Sequence, residues 1–124
     1  MKTAKLELNG KTYTMCLSLR VTRDIAERFG GMEEMSDAVT SGNPAKALNS
    51  VVWILAAMSH AGSAYDKRCG IETAEPLTED DILDGADVAD LADLRAKVFE
   101  TIAAGQTADV RVEPEKNAVT SPAS

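Results

Sequence analysis

Apolar and polar residues alternate along the first stretch of the chain. Ala4, Leu6 and Leu8 interleave with Lys5 and Glu7, and Tyr13 and Met15 interleave with Thr12 and Thr14. Asn9-Gly10 lies between the two runs. Both positions of a type I′ turn need positive φ, and Asn-Gly is the favoured pair for it. A two-residue turn sets the register. It places Leu8 opposite Lys11, Glu7 opposite Thr12, Leu6 opposite Tyr13, Lys5 opposite Thr14 and Ala4 opposite Met15. Leu6, Leu8, Tyr13 and Met15 then share one face, and Lys5, Glu7, Thr12 and Thr14 share the other. A lone hairpin is unstable in water, so the apolar face is expected to rest on helices.

From residue 22 the apolar spacing lengthens to that of helices. Thr22 reads as an N-cap, with Asp24 and Glu27 placed where the helix dipole favours negative charge. Ile25, Ala26 and Phe29 make the apolar stripe, and Gly30-Gly31 ends the helix. Met32, Met35 and Val39 predict a second short helix, broken at Ser41-Gly42. Asn43-Pro44 starts a third, with Asn as cap and Pro in the first turn. This helix is expected to reach about Ala61, with Gly62 as a left-handed cap. Its middle, Val51–Met58, is apolar all round, which marks a helix central to the fold or in a subunit interface. Ser63–Glu75 reads as a loop, with room for one extra helical turn before it. Thr78 then caps a short helix, with Asp81 at its third position and Leu77 stapled onto Ile82. Gly85 ends it. Asp87 caps the last helix, whose stripe is Val88, Leu91, Leu94 (or the stem of Arg95), Val98 and Ile102, and Gly105 terminates it.

Gln106–Ser124 holds small and charged residues, two of the four prolines and no helical stripe. It is expected to be a flexible, disordered tail. Asp109–Glu113 alternates weakly and is compatible with a strand added to a partner's edge, but a frayed tail is the simpler reading. The pattern therefore predicts an α+β chain, predominantly α. Residues 1–105 form a single domain, with a β-hairpin over 1–18 and about five helices over 22–105, and 106–124 form a tail.

Composition narrows the function. Aromatics make up 4% of the chain, so the core must rest on aliphatic residues and methionine. The formal net charge is -7. Such a chain is repelled by nucleic acid phosphates and by anionic lipid, so neither nucleic acid nor membrane is an expected partner. The charge is uneven: between Gly70 and Leu94 there are nine acidic residues and no Lys or Arg. The longest apolar run, Val51–Met58, is far short of the roughly 20 residues of a membrane span. Met1–Leu8 lacks the apolar core of a signal peptide, so a reducing cytoplasm with Cys16 and Cys69 as free thiols is the expectation.

Candidate chemistry is sparse. His60 is the one histidine, and a nucleophile–base pair would need Cys16 or Cys69 beside it. Two distant cysteines and one histidine do not make a structural zinc set. Asp80–Gly85 is similar to the middle of a calcium loop, but aligning Gly85 to the turn puts Ile82 where an oxygen ligand is needed and Leu91 where the bidentate Glu belongs. Those acids are better explained as helix caps and first-turn charges. Gly30-Gly31 follows a helix rather than a strand and lacks phosphate-loop spacing. No catalytic residue, metal or cofactor is expected.

The elements also follow a familiar order. A hairpin carries Leu8-Asn9-Gly10-Lys11-Thr12-Tyr13, an early helix ends in Arg28-Phe29-Gly30-Gly31, and an apolar helix runs through Leu48–Met58. Glu75–Ile82 then leads into Asp90–Gly105. Over Lys5 to Gly105 this resembles the tail assembly chaperones of long-tailed phages and prophages, especially those of Gram-positive hosts. The resemblance lies in element order and residue type rather than in a signature motif.

The resemblance implies a protein that binds the tape measure protein, recruits tail tube subunits, works in the host cytoplasm and is absent from the finished virion. In many members of this family a programmed frameshift makes a longer product, and a tail such as Gln106–Ser124 would suit that junction. Trp53 and Met58 read first as core residues and second as the apolar candidates for covering tape measure helices, and Asp84, Asp87 and Asp90 are the acidic candidates for steering a basic partner. Homo-oligomerisation is left open. The rival readings are another phage structural part, such as a head–tail connector or tail completion protein, then a small acidic regulatory adaptor, then an enzyme.

Overall fold

The computed structural model describes residues 1–106. The flexible-tail reading and the Asp109–Glu113 strand concern residues outside those described. Asn9 and Gly10 adopt φ of 51° and 79°, as a type I′ turn requires. They join strands β1 (Thr3–Leu8) and β2 (Lys11–Cys16) in the register that the turn dictates, Leu8 opposite Lys11 through to Ala4 opposite Met15. Ala4, Leu6, Tyr13 and Met15 are buried on one face. The other face is not wholly open, because Thr14 and Cys16 are buried too.

Five helices follow: α1 (Leu19–Phe29), α2 (Met32–Val39), α3 (Pro44–Arg68), α4 (Glu79–Gly85) and α5 (Leu91–Gly105), with a 3-10 turn at Val88–Asp90 before the last. The architecture is α+β, predominantly α. α3 is its axis. At 25 residues it is about 37 Å long, and it packs against β2 and every other helix. Val51, Val52, Ile54, Leu55 and Met58 are all buried, which accounts for a segment apolar on every side. One aliphatic cluster runs from the hairpin through α3 to Leu94 and Val98 of α5.

Three boundaries differ from the sequence expectation. First, α1 begins a turn earlier. Ser18 is its cap, accepting from the Val21 amide at 3.2 Å, while the Thr22 hydroxyl donates back to the Ser18 carbonyl. The earlier start brings Val21 into the stripe with Ile25, and Ala26 is exposed.

Second, α3 runs to Arg68 and Gly62 is an interior residue. There it lies against the backbone of Thr14, where a side chain would collide with the carbonyl. Lys5 and Thr14 form a non-hydrogen-bonded pair of the ladder, so the Thr14 carbonyl faces away from β1. α3 therefore covers the outer edge of β2, which would otherwise be an open template for pairing. The stop comes at Gly70, with φ 72°, where Ile71 donates to the Asp66 carbonyl and Gly70 to that of Lys67. This is a Schellman closure.

Third, the last helix is preceded by the 3-10 turn. Val88 is 91% exposed rather than part of the stripe, and the fully buried face is Leu94, Val98 and Thr101. The Thr101 hydroxyl donates to the Lys97 carbonyl, so its burial leaves no polar group unmet.

Candidate functional site

The local chemistry of α4 places it firmly. Thr78 accepts from the Asp81 amide at 3.0 Å, and Asp81 accepts from the Thr78 amide at 2.9 Å, a reciprocal capping box. These bonds hold the Asp81 carboxyl below its usual range. Leu77 and Ile82 are both buried across the same turn, as a hydrophobic staple requires. Contacts from elsewhere complete the frame. The Leu77 amide donates to the Ser59 hydroxyl on α3 at 2.8 Å, and the Asn9 side-chain amide donates to the Gly85 carbonyl at 3.0 Å. Arg95 on α5 donates to the Val39 carbonyl at the end of α2.

Between α3, α4, the 3-10 turn and α5 this frame leaves an apolar groove of about 220 Å³. Its floor is Val52, Ile82 and Leu94, each buried. Its walls are Leu48, Leu83, Ala86, Val88 and Leu91, with Asp87 as the acidic side chain in the lining. Leu48, Leu83 and Val88 are exposed at 36%, 45% and 91%. Three large aliphatic side chains thus remain exposed along one concavity. Asp84 and Asp87 are exposed on the segment that forms the rim. Asp90, half-buried, accepts from the Asp87 amide at 2.8 Å and holds the 3-10 turn in shape.

The five residues singled out in the sequence do not share one surface. Asp87 lines the groove, and Asp84 and Asp90 lie on the same α4-to-α5 segment. Met58 is fully enclosed in the core and presents nothing to a partner in this conformation. Trp53 follows Val52 on α3, about 100° round the helix from the groove floor. It is half-buried against Phe29, ring centroids 5.7 Å apart and edge-on, with the Arg28 guanidinium 4.7 Å from its centroid. The groove walls Leu48, Leu83 and Val88 escaped the sequence reading. Leu83 and Leu48 carry no sequence signal apart from being apolar outside a stripe, and the spacing of Val88 puts it on the buried face.

A polar relay was also not foreseen. Lys5 donates to the Thr14 hydroxyl at 2.8 Å, and Thr14 donates to the Asp66 carboxylate at 2.6 Å. Asp66 is buried, and Cys16 lies within its field. Burial, reinforced by the Asp66 charge, pushes the Cys16 thiol up to about 11. A nucleophilic cysteine must be a thiolate, so Cys16 is inert at neutral pH. Cys69 is exposed at the end of α3, both thiols are free, and His60 is exposed. Among the described residues no group of three His, Cys, Asp or Glu side chains is placed to hold a metal ion, and no helix is long and apolar enough to cross a membrane.

No family model, curated protein or solved structure matches the chain.

Proposed function

We propose that this protein is a phage tail assembly chaperone, a non-enzymatic protein that binds the tape measure protein and recruits tail tube subunits during tail morphogenesis. The observation that carries the reading is the open apolar groove walled by Leu48, Leu83 and Val88 in a chain of net charge -7. A chaperone of this kind must shield apolar helices and keep the complex in solution. Apolar concavity and net charge meet those two needs. The order of elements from Lys5 to Gly105, which resembles that family, supports the same reading.

Deleting the gene in the encoding phage tests this. The expected outcome is filled heads without tails and an insoluble tape measure protein, with the chain missing from wild-type particles by mass spectrometry. Stoichiometric presence in purified particles would instead identify a connector or tail completion protein.

A further inference from the structure

The groove has a size and a charge that select its occupant. Small-molecule sites run from roughly 300 Å³ upward. At about 220 Å³ this one is smaller, and its walls come from helices rather than from convergent polar groups. It suits aliphatic side chains projecting from another protein, as when an amphipathic helix lays one face into a groove. Asp87 is the acidic side chain of the lining, within a segment from Gly70 to Leu94 that has no Lys or Arg. A second copy of this chain would bring acid against acid across the contact. The chain's own residues beyond 106 are no better matched, since Arg111 and Lys116 are outnumbered there by Asp109, Glu113 and Glu115.

We infer that the groove between α3, α4, the 3-10 turn and α5 receives one amphipathic helix of a partner protein. Aliphatic side chains at i, i+3 or i+4, and i+7 enter between Leu48, Leu83 and Val88, and flanking Lys or Arg residues meet Asp87 and the field of the acidic α4-to-α5 segment, Asp84 included. This deepens the chaperone reading and rests on it for the natural client, the tape measure protein, but the chemistry of the groove can be tested without that client.

The probe is a fluorescein-labelled 20-residue helical peptide with Leu at the anchor positions and Lys elsewhere, titrated with the full chain at low salt and followed by anisotropy. Saturable one-to-one binding is expected, with binding lost for the same peptide carrying Glu in place of Lys. Val88→Asp changes a side chain that is almost wholly exposed, so the fold is retained, and Leu83→Asp gives a second, independent probe of the wall. Each should weaken binding at least tenfold. That loss cannot be electrostatic, because each added carboxylate increases attraction for a Lys-rich peptide. Asp84→Asn with Asp87→Asn should weaken binding several-fold at low salt and much less at high salt. No saturable binding, or binding unaffected by both Val88→Asp and Leu83→Asp, overturns the inference. The two proposals separate cleanly. If the peptide binds as described and the tape measure protein does not, the chaperone reading falls and the groove stands. A tape measure complex that forms equally well with Val88→Asp and Leu83→Asp removes the groove and leaves the chaperone reading.

Discussion

Gly62 of α3 meets Thr14 of β2 backbone to backbone, leaving no room for a Cβ between the helix and the strand edge. Gly62 is buried inside a 25-residue helix, where helix propensity alone favours alanine by about 1 kcal/mol. Geometry opposes that gain and is the larger effect. Gly62→Ala must either push α3 off the hairpin or distort β2, a cost of about 3 kcal/mol or more. Thermal unfolding should show a melting temperature lower by about 10 °C or more. A stabilised Gly62→Ala variant would mean that α3 and β2 are not in contact at this point.

Thr14 has a second tie to α3. Its hydroxyl is the hydrogen-bond donor to the buried Asp66 carboxylate. Thr14→Val keeps the shape but leaves that carboxylate short of a donor, and it should cost about 2 kcal/mol in denaturant unfolding. Thr14→Ser retains the hydroxyl and should recover most of the loss. Equal destabilisation by both would assign the effect to packing instead.

The two thiols should behave differently. Cys69 is exposed and should react rapidly with Ellman's reagent at pH 8, whereas Cys16 should react only on unfolding. Linkage gives a further check. The Cys16 thiol ionises near its ordinary 9.0 when unfolded and near 11 when folded. Its contribution to stability is complete below pH 9 and declines as pH rises through that interval, where the unfolded chain has lost the proton and the folded chain has not. Cys16→Ala should flatten this part of the stability profile.

Asp81 acts at the other end of the pH scale. Its bonds to Thr78 lower its pKa from 3.8, so the capping box contributes fully above that value and is lost as pH falls through the lowered pKa. The Thr78 amide resonance should titrate with it in NMR spectra. Asp81→Ala should abolish that titration and loosen the start of α4, the helix that carries the groove wall Leu83.

What could be read from the sequence is what neighbouring residues decide among themselves. Asn9-Gly10 determined a register over ten residues, Asn43-Pro44 a helix start, and Thr78 with Asp81 a capping box. Each signal and its consequence lie within a few positions. Ser18 and Thr22 show where this stops working, because both are good caps one turn apart and the burial of Val21 against the core decides between them. Gly62 misleads for a related reason. Its local meaning is a helix stop, but its role is set by a strand about fifty residues away. The acids of the candidate site were visible as a charge run, whereas the groove was not. Leu48, Leu83 and Val88 become one surface only when α3, α4 and α5 converge. The same distance hid the Lys5–Thr14–Asp66 relay, whereas the core reading of Met58 followed from the all-apolar run around it.

Co-expression with the tape measure protein that the proposed function makes its client, followed by size-exclusion chromatography with light scattering, tests the central claim most directly. A stable co-eluting complex that keeps an otherwise insoluble tape measure protein in solution is the expected result. A tape measure protein that precipitates while this chain elutes alone and unchanged would contradict it.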